Sequence, residues 1–107
     1  MPRAVDLAVE LSLLEAGFVV VGSTARWLVS GAGAPEPRDL DVVVEARELD
    51  PFVDALRLLG GTTTAARLRR CRDVRIRTAW GPLDVFLGPA PASRDARVRD
   101  VVVLVAA

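Results

Sequence analysis

The chain contains no histidine, lysine, asparagine, glutamine or tyrosine. Histidine general acid–base chemistry, Ser-His-Asp triads and histidine metal sites are therefore excluded. Cys71 is the only cysteine, so neither an intramolecular disulfide nor a cysteine metal cluster can form. With no candidate catalytic base near it, it reads as an inert small hydrophobe. Aromatic residues make up 5% of the chain, too few for a base-stacking platform, and Trp27 and Trp80 read as core. There is no apolar run long enough for a membrane span, and the N-terminus lacks the basic-then-apolar layout of a secretory signal. A cytoplasmic protein is expected. All 14 basic side chains are arginine; together with the absence of thermolabile amides, this fits a thermophilic source with GC-rich coding. Any chemistry falls to carboxylates and arginines.

What is present describes a soluble globular protein. The 107 residues are 51% hydrophobic and 26% charged with no formal net charge, which predicts one domain over 1–107. Residues 1–16 read as an amphipathic helix. Pro2 suits its first turn, Leu7, Leu11 and Leu14 recur at helical spacing, Asp6 and Glu10 mark a solvated side, and Gly17 ends it. A further helix is expected over 51–59, capped by Asp50, striped by Phe52, Leu56 and Leu59, and stopped by Gly60-Gly61. Thr62 to Thr64 favour an extended segment. Residues 73–78 alternate apolar and charged, and Gly81-Pro82 turns the chain into 83–87, predicting an antiparallel hairpin. A Pro/Ala-rich loop over 88–95 then precedes an apolar strand, 101–105, either buried or at an interface. The pattern predicts an α/β (α+β) fold: a small mixed sheet with helices packed on one side.

The most informative stretch is 19–45, which reads VVVGSTARWLVSGAGAPEPRDLDVVVE. An apolar strand meets Gly22-Ser23, a short helix follows over 24–30, and a Gly/Pro-rich loop covers 31–37. Asp39-Leu40-Asp41 then opens a second apolar strand. Strand side chains alternate faces, so Asp39 and Asp41 point the same way. Two adjacent carboxylates repel, and a divalent cation such as Mg²⁺ relieves that repulsion. Gly22 permits close backbone approach, and the helix start beyond it offers N–H groups to an anion. A metal-binding carboxylate pair beside a phosphate-binding turn is equipment for phosphoryl or nucleotidyl transfer. The plainer alternative makes Ser23 an N-cap and the aspartates ordinary strand-entry residues. For Asp84, between apolar neighbours in 83–87, the alternative is a solvated strand face.

Charge is divided along the chain. Residues 1–54 carry four arginines against ten acids, and residues 55–107 carry ten against four. Arg67, Arg69, Arg70, Arg72, Arg75 and Arg77 form the densest run. Such a run reads either as a patch for triphosphate or nucleic acid, or as a solvated strand face whose arginines pair with the acidic half. Pairing is favoured.

Gly22-Ser23, Asp39-Leu40-Asp41 and the later Asp84 together resemble the polymerase-β-type nucleotidyltransferase superfamily over roughly residues 18–87. Arg38 before the pair is similar to the minimal prokaryotic members related to toxin–antitoxin systems. The 31–37 loop makes the Gly-Ser to Asp spacing longer than in the commonest members. The resemblance implies that Asp39, Asp41 and Asp84 are catalytic and hold two Mg²⁺ ions, for which Mn²⁺ can substitute. It also implies that Gly22, Ser23 and Arg26 bind the phosphates of an NTP. An NMP would pass to an acceptor hydroxyl on RNA, protein or a small molecule, with pyrophosphate leaving. Larger relatives carry an extra helical lobe, so a homodimer or a separately encoded helical partner is the implied source of that surface. The alternative is a catalytically inactive domain of the same fold, acting as a protein-binding or antitoxin-type partner.

Overall fold

Apolar residues at every second position of four strands build one wall of the core. Leu40, Val42 and Val44 are fully buried, as are Leu83 and Val85, and Val103 and Val105, while Val74 and Ile76 are nearly so. A period of two places them all on one face of a sheet, which gains stability only if helices cover it. The computed structural model describes residues 4–31 and 35–107. Among these, four helices and six strands occur in the order α1 (Ala4–Leu13), β1 (Val19–Val21), α2 (Gly22–Ser30), β2 (Leu40–Val44), α3 (Leu49–Leu58), α4 (Ala65–Cys71), β3 (Asp73–Thr78), β4 (Gly81–Leu87), β5 (Ser93–Val98) and β6 (Val101–Ala106). A 3-10 turn, Ala46–Glu48, precedes α3.

The strands form one mixed sheet in the order β3-β4-β2-β1-β6-β5. The β1–β2, β3–β4 and β5–β6 pairs are antiparallel, and β1–β6 and β2–β4 are parallel. Parallel β2 and β4 need a long crossover, and α3 and α4 lie within it. This is the expected mixed α+β architecture, with its helices packed against the apolar face. Helix α1 buries Leu7 and Leu11 against β6, β2 and β4. Phe52 of α3 is fully buried and meets Phe18 edge to face, with ring centroids 6.3 Å apart. No helix among the described residues is long and apolar enough to cross a membrane.

Several local expectations need correction. Helix α1 ends at Leu13 rather than reaching Gly17, because Glu15 turns left-handed at φ 61° and Ala16 N–H donates back to Leu11. Leu14 is consequently exposed. Asp6 is not simply solvated, since it pairs with Arg99 from the β5–β6 turn. Pro2 and part of the 31–37 loop lie outside the described residues. Helix α3 begins at Leu49, so Asp50 stands inside its first turn rather than capping it. The segment after the threonines is helical: Thr64 caps α4 by accepting from Arg67 N–H at 3.1 Å. Arg67, Arg69 and Arg70 therefore sit on a helix, not a strand face. Part of the expected 88–95 loop belongs to β5, a charged edge strand paired along β6. Cys71 is exposed, and both tryptophans are half-buried rather than fully in the core.

Candidate active site

The strand registers decide which side chains meet. Val21 pairs with Asp41, Asp41 with Asp84, and Asp84 with Arg75. Directly paired residues project to the same side, so one row crosses four strands on the face away from the helices. The row reads Arg75, Asp84, Asp41, Val21. Asp39, one residue before β2, shares the Asp41 side. The two alternations agree: Leu40 and Val42 turn inward, Asp41 turns outward and is half-buried. Asp84 has a 19% exposed side chain and lies among the apolar outward residues of β4.

Asp41 and Asp84 are direct partners across the β2–β4 pairing. Partial burial, contact with Asp84, and repulsion from Asp84 and Asp39 together hold the Asp41 carboxyl above its ordinary range, in that order of importance. Arg75 acts in the opposite direction. Its guanidinium donates from Nη1 to Asp84 Oδ2 at 3.0 Å and from Nη2 to Asp39 Oδ2 at 3.1 Å. These bonds, first with Asp39, push the guanidinium up from its usual value, so it is a permanent cation here.

Gly22 brings α2 up to this cluster. It takes φ +70°, and a Cβ there would sit 2.8 Å from Asp41 Oδ2. Any side chain would strain the turn and displace the carboxylate. Ser23 is exposed in the first turn of α2, and the N-cap residue is Val21, which makes no side-chain cap, so Ser23 is not the N-cap. Arg26 is exposed one turn further on and borders two hollows. One, of about 430 Å³, runs along Gly22, Ala25 and Ala106. The other, of about 270 Å³, lies over Ser23, Trp27 and Pro37. The carboxylates line neither, because they stand on the open sheet face beside them.

Two residues were not singled out as site residues by their sequence pattern. Thr24, almost wholly buried, donates from Oγ1 to the Asp39 carbonyl at 2.8 Å. It fastens the first turn of α2 to the backbone of the carboxylate strand. Thr24→Val keeps the shape and loses the donor, leaving a partly buried carbonyl without it. A loss of about 1–2 kcal/mol is expected, seen as a melting temperature lower by about 4–8 °C per kcal/mol. Arg75 lies in the arginine run, and the expected turn at Gly81-Pro82 hid its partner, because those two residues already pair with Thr78 and Arg77 in the hairpin. A two-residue turn at Ala79-Trp80 pairs Thr78 with Gly81, and counting back sets Arg75 against Asp84.

Three carboxylates offer hard oxygen donors of the kind Mg²⁺ prefers, and the crowding felt by Asp41 is what a divalent cation relieves. The Gly22 turn leaves room at Asp41 that a Cβ would fill. The donor set fits such an ion in kind. As the side chains stand, however, no three acidic or cysteine side chains among the described residues close on a single point, and Arg75 lies between Asp39 and Asp84. Compared with known proteins, the chain matches no family model, no curated protein and no solved structure.

Proposed function

We propose that the chain is a metal-dependent nucleotidyltransferase, transferring an NMP from an NTP to a hydroxyl on RNA, protein or a small molecule. The observation that carries this reading is the in-register pairing of Asp41 with Asp84 beside the Gly22 turn. Asp39 flanks the pair. The sequence likeness to minimal prokaryotic members of the polymerase-β-type superfamily, including those related to toxin–antitoxin systems, points the same way.

In this reading Asp39, Asp41 and Asp84 hold Mg²⁺, or Mn²⁺ in its place. When bound, the metal would neutralise triphosphate charge and make the acceptor hydroxyl more acidic. The acceptor oxygen forms a bond to the α-phosphorus as the bond from that phosphorus to the bridging oxygen breaks, and pyrophosphate leaves. Asp84, in line with Asp41 and accessible from the open face, receives the hydroxyl proton. Backbone N–H groups at Gly22 and Ser23, the Ser23 hydroxyl and the Arg26 guanidinium bind the phosphates. The proton acceptor here is a carboxylate, since histidine and lysine are absent from the chain.

The test is direct. Protein, Mg²⁺ and each α-labelled NTP are incubated with total RNA, total cell protein or small-molecule alcohols. Label is expected to appear in one acceptor class with the wild type and to fall to background with Asp84→Asn. Absence of labelling with every NTP and acceptor would sink the enzyme reading.

A second reading has its own observations. Arg75 already neutralises part of the carboxylate charge, and Val102 and Leu104 leave 46% and 41% of their surface exposed on β6. An inactive domain of this fold, docking a helical partner or a second copy, would use both features.

A further inference from the structure

Among the described residues, the Arg75 guanidinium is the one cation bonded to the carboxylate row, and its position is peculiar. It is anchored on β3, the sheet's edge strand, directly opposite Asp84, yet it reaches past Asp84 to Asp39, which belongs to the β2 side of the cluster. Both bonds go to Oδ2 atoms, from the two arms of one planar fork. The fork therefore spans the ground between the two carboxylates that flank Asp41. More than half of the side chain is exposed, and the Asp39 side chain is 43% exposed, so the pairing stands largely open to solvent. It is retained by these pairings, which water and salt screen.

From this geometry we infer that Arg75 is a resident counter-ion, occupying the place a divalent cation needs, so that metal enters the site only by exchange with the guanidinium. The inference rests on the metal-dependent reading above. Three carboxylates with one guanidinium retain two negative charges, enough to attract a divalent ion but fewer than the three available once Arg75 swings away. The arginine keeps the crowded row from repelling itself apart in the metal-free protein. It also sets a threshold, because a metal ion without its nucleotide must compete with a bidentate pair. A metal–triphosphate brings anionic oxygens with it, and the released guanidinium, swinging on its long side chain at the sheet edge, can pair with these. Arg75 would then favour entry of the metal–nucleotide complex over the bare ion, a selectivity the carboxylates alone do not supply.

The test measures Mn²⁺ alone by titration calorimetry and by the loss of the free-ion electron paramagnetic signal, with no nucleotide present. Arg75→Gln removes the charge and keeps a polar side chain on an exposed position. It is expected to bind Mn²⁺ at least about tenfold more tightly than the wild type, the order expected for removing a unit charge a few ångströms away near a surface. Arg75→Lys keeps the charge but loses the fork, and should fall between the two. It also keeps the question open should the glutamine variant fold poorly. In the wild type, Mg²⁺ should shift the Arg75 side-chain nitrogen resonances toward those of a free guanidinium. If wild type and Arg75→Gln bind Mn²⁺ equally well, the exchange idea is overturned while the metal-dependent reading stands. If neither binds Mn²⁺ at millimolar concentration, both fall together.

Discussion

Mg²⁺ or Mn²⁺ together with an NTP, at a hundred times the dissociation constant, is expected to stabilise the fold by about 2.7 kcal/mol. For a chain of this size that is a rise in melting temperature of about 10–20 °C. The large value follows from mass action on a site assembled only in the folded state, since Asp41 and Asp84 meet through a long-range parallel pairing. Asp41→Asn should abolish the shift and any transfer activity, because it removes one negative charge at the centre of the row. The same substitution should leave the metal-free protein no less stable at neutral pH. The folded state holds the Asp41 proton to higher pH than the unfolded chain does, so its contribution to stability is full below the usual value of 3.8. That contribution is lost as pH rises through the raised value. A melting series from pH 3.5 to 7 therefore shows a steeper decline attributable to this group in the wild type than in Asp41→Asn. A wild type with no metal-dependent NTP shift, paired with an Asp41→Asn that merely destabilises, would make the carboxylates structural.

Phe52→Ala should cost about 3–5 kcal/mol, a large share of the roughly 5–15 kcal/mol that holds a typical domain together. Phe52 is fully buried between α3 and the loop entering β1, where its ring meets Phe18 at an interplanar angle of 65°. Truncation leaves a cavity and removes the edge-to-face contact, worth roughly 0.5–1.5 kcal/mol and already counted within the total. The melting temperature should fall by about 12 °C or more. Phe52→Leu, filling most of the volume, should recover over half of the loss. An alanine variant that melts within a degree or two of the wild type would show that α3 packs loosely and that the core depends on α1 and the sheet alone. The position matters to the site as well, because Phe18 leads directly into β1 and the Gly22 turn.

Much of this protein was legible in its residues, where the cause is local. The alternation in 73–78 and 83–87 specified a hairpin, and the structure has it, with the turn at Ala79-Trp80 rather than at Gly81-Pro82. Asp39 and Asp41 were bound to share a side because a strand has a period of two, and Gly22 was marked by its place between an apolar strand and a helix. Where competing local signals existed, the sequence was less decisive. Thr62 to Thr64 suggested extension, and Thr64 is extended, but its hydroxyl also caps a helix that was not foreseen in the following AARLRRC segment, a good helix former. Residues 93–98 have the charges of a loop, yet they are a strand because β6 offers them a hydrogen-bonding edge.

The composition by itself determined that only carboxylates and arginines are present to act, and the period of each strand determined which residues could share a face. Only the tertiary structure decided that Asp84 stands beside Asp41. That depends on parallel pairing of β2 with β4 across the α3–α4 crossover, and a shift of one residue would have turned Asp84 into the core. The same register brought Arg75 from a run of six similar arginines to Asp39 and Asp84, because charge patterns along a chain carry no information about which partner a distant strand will present.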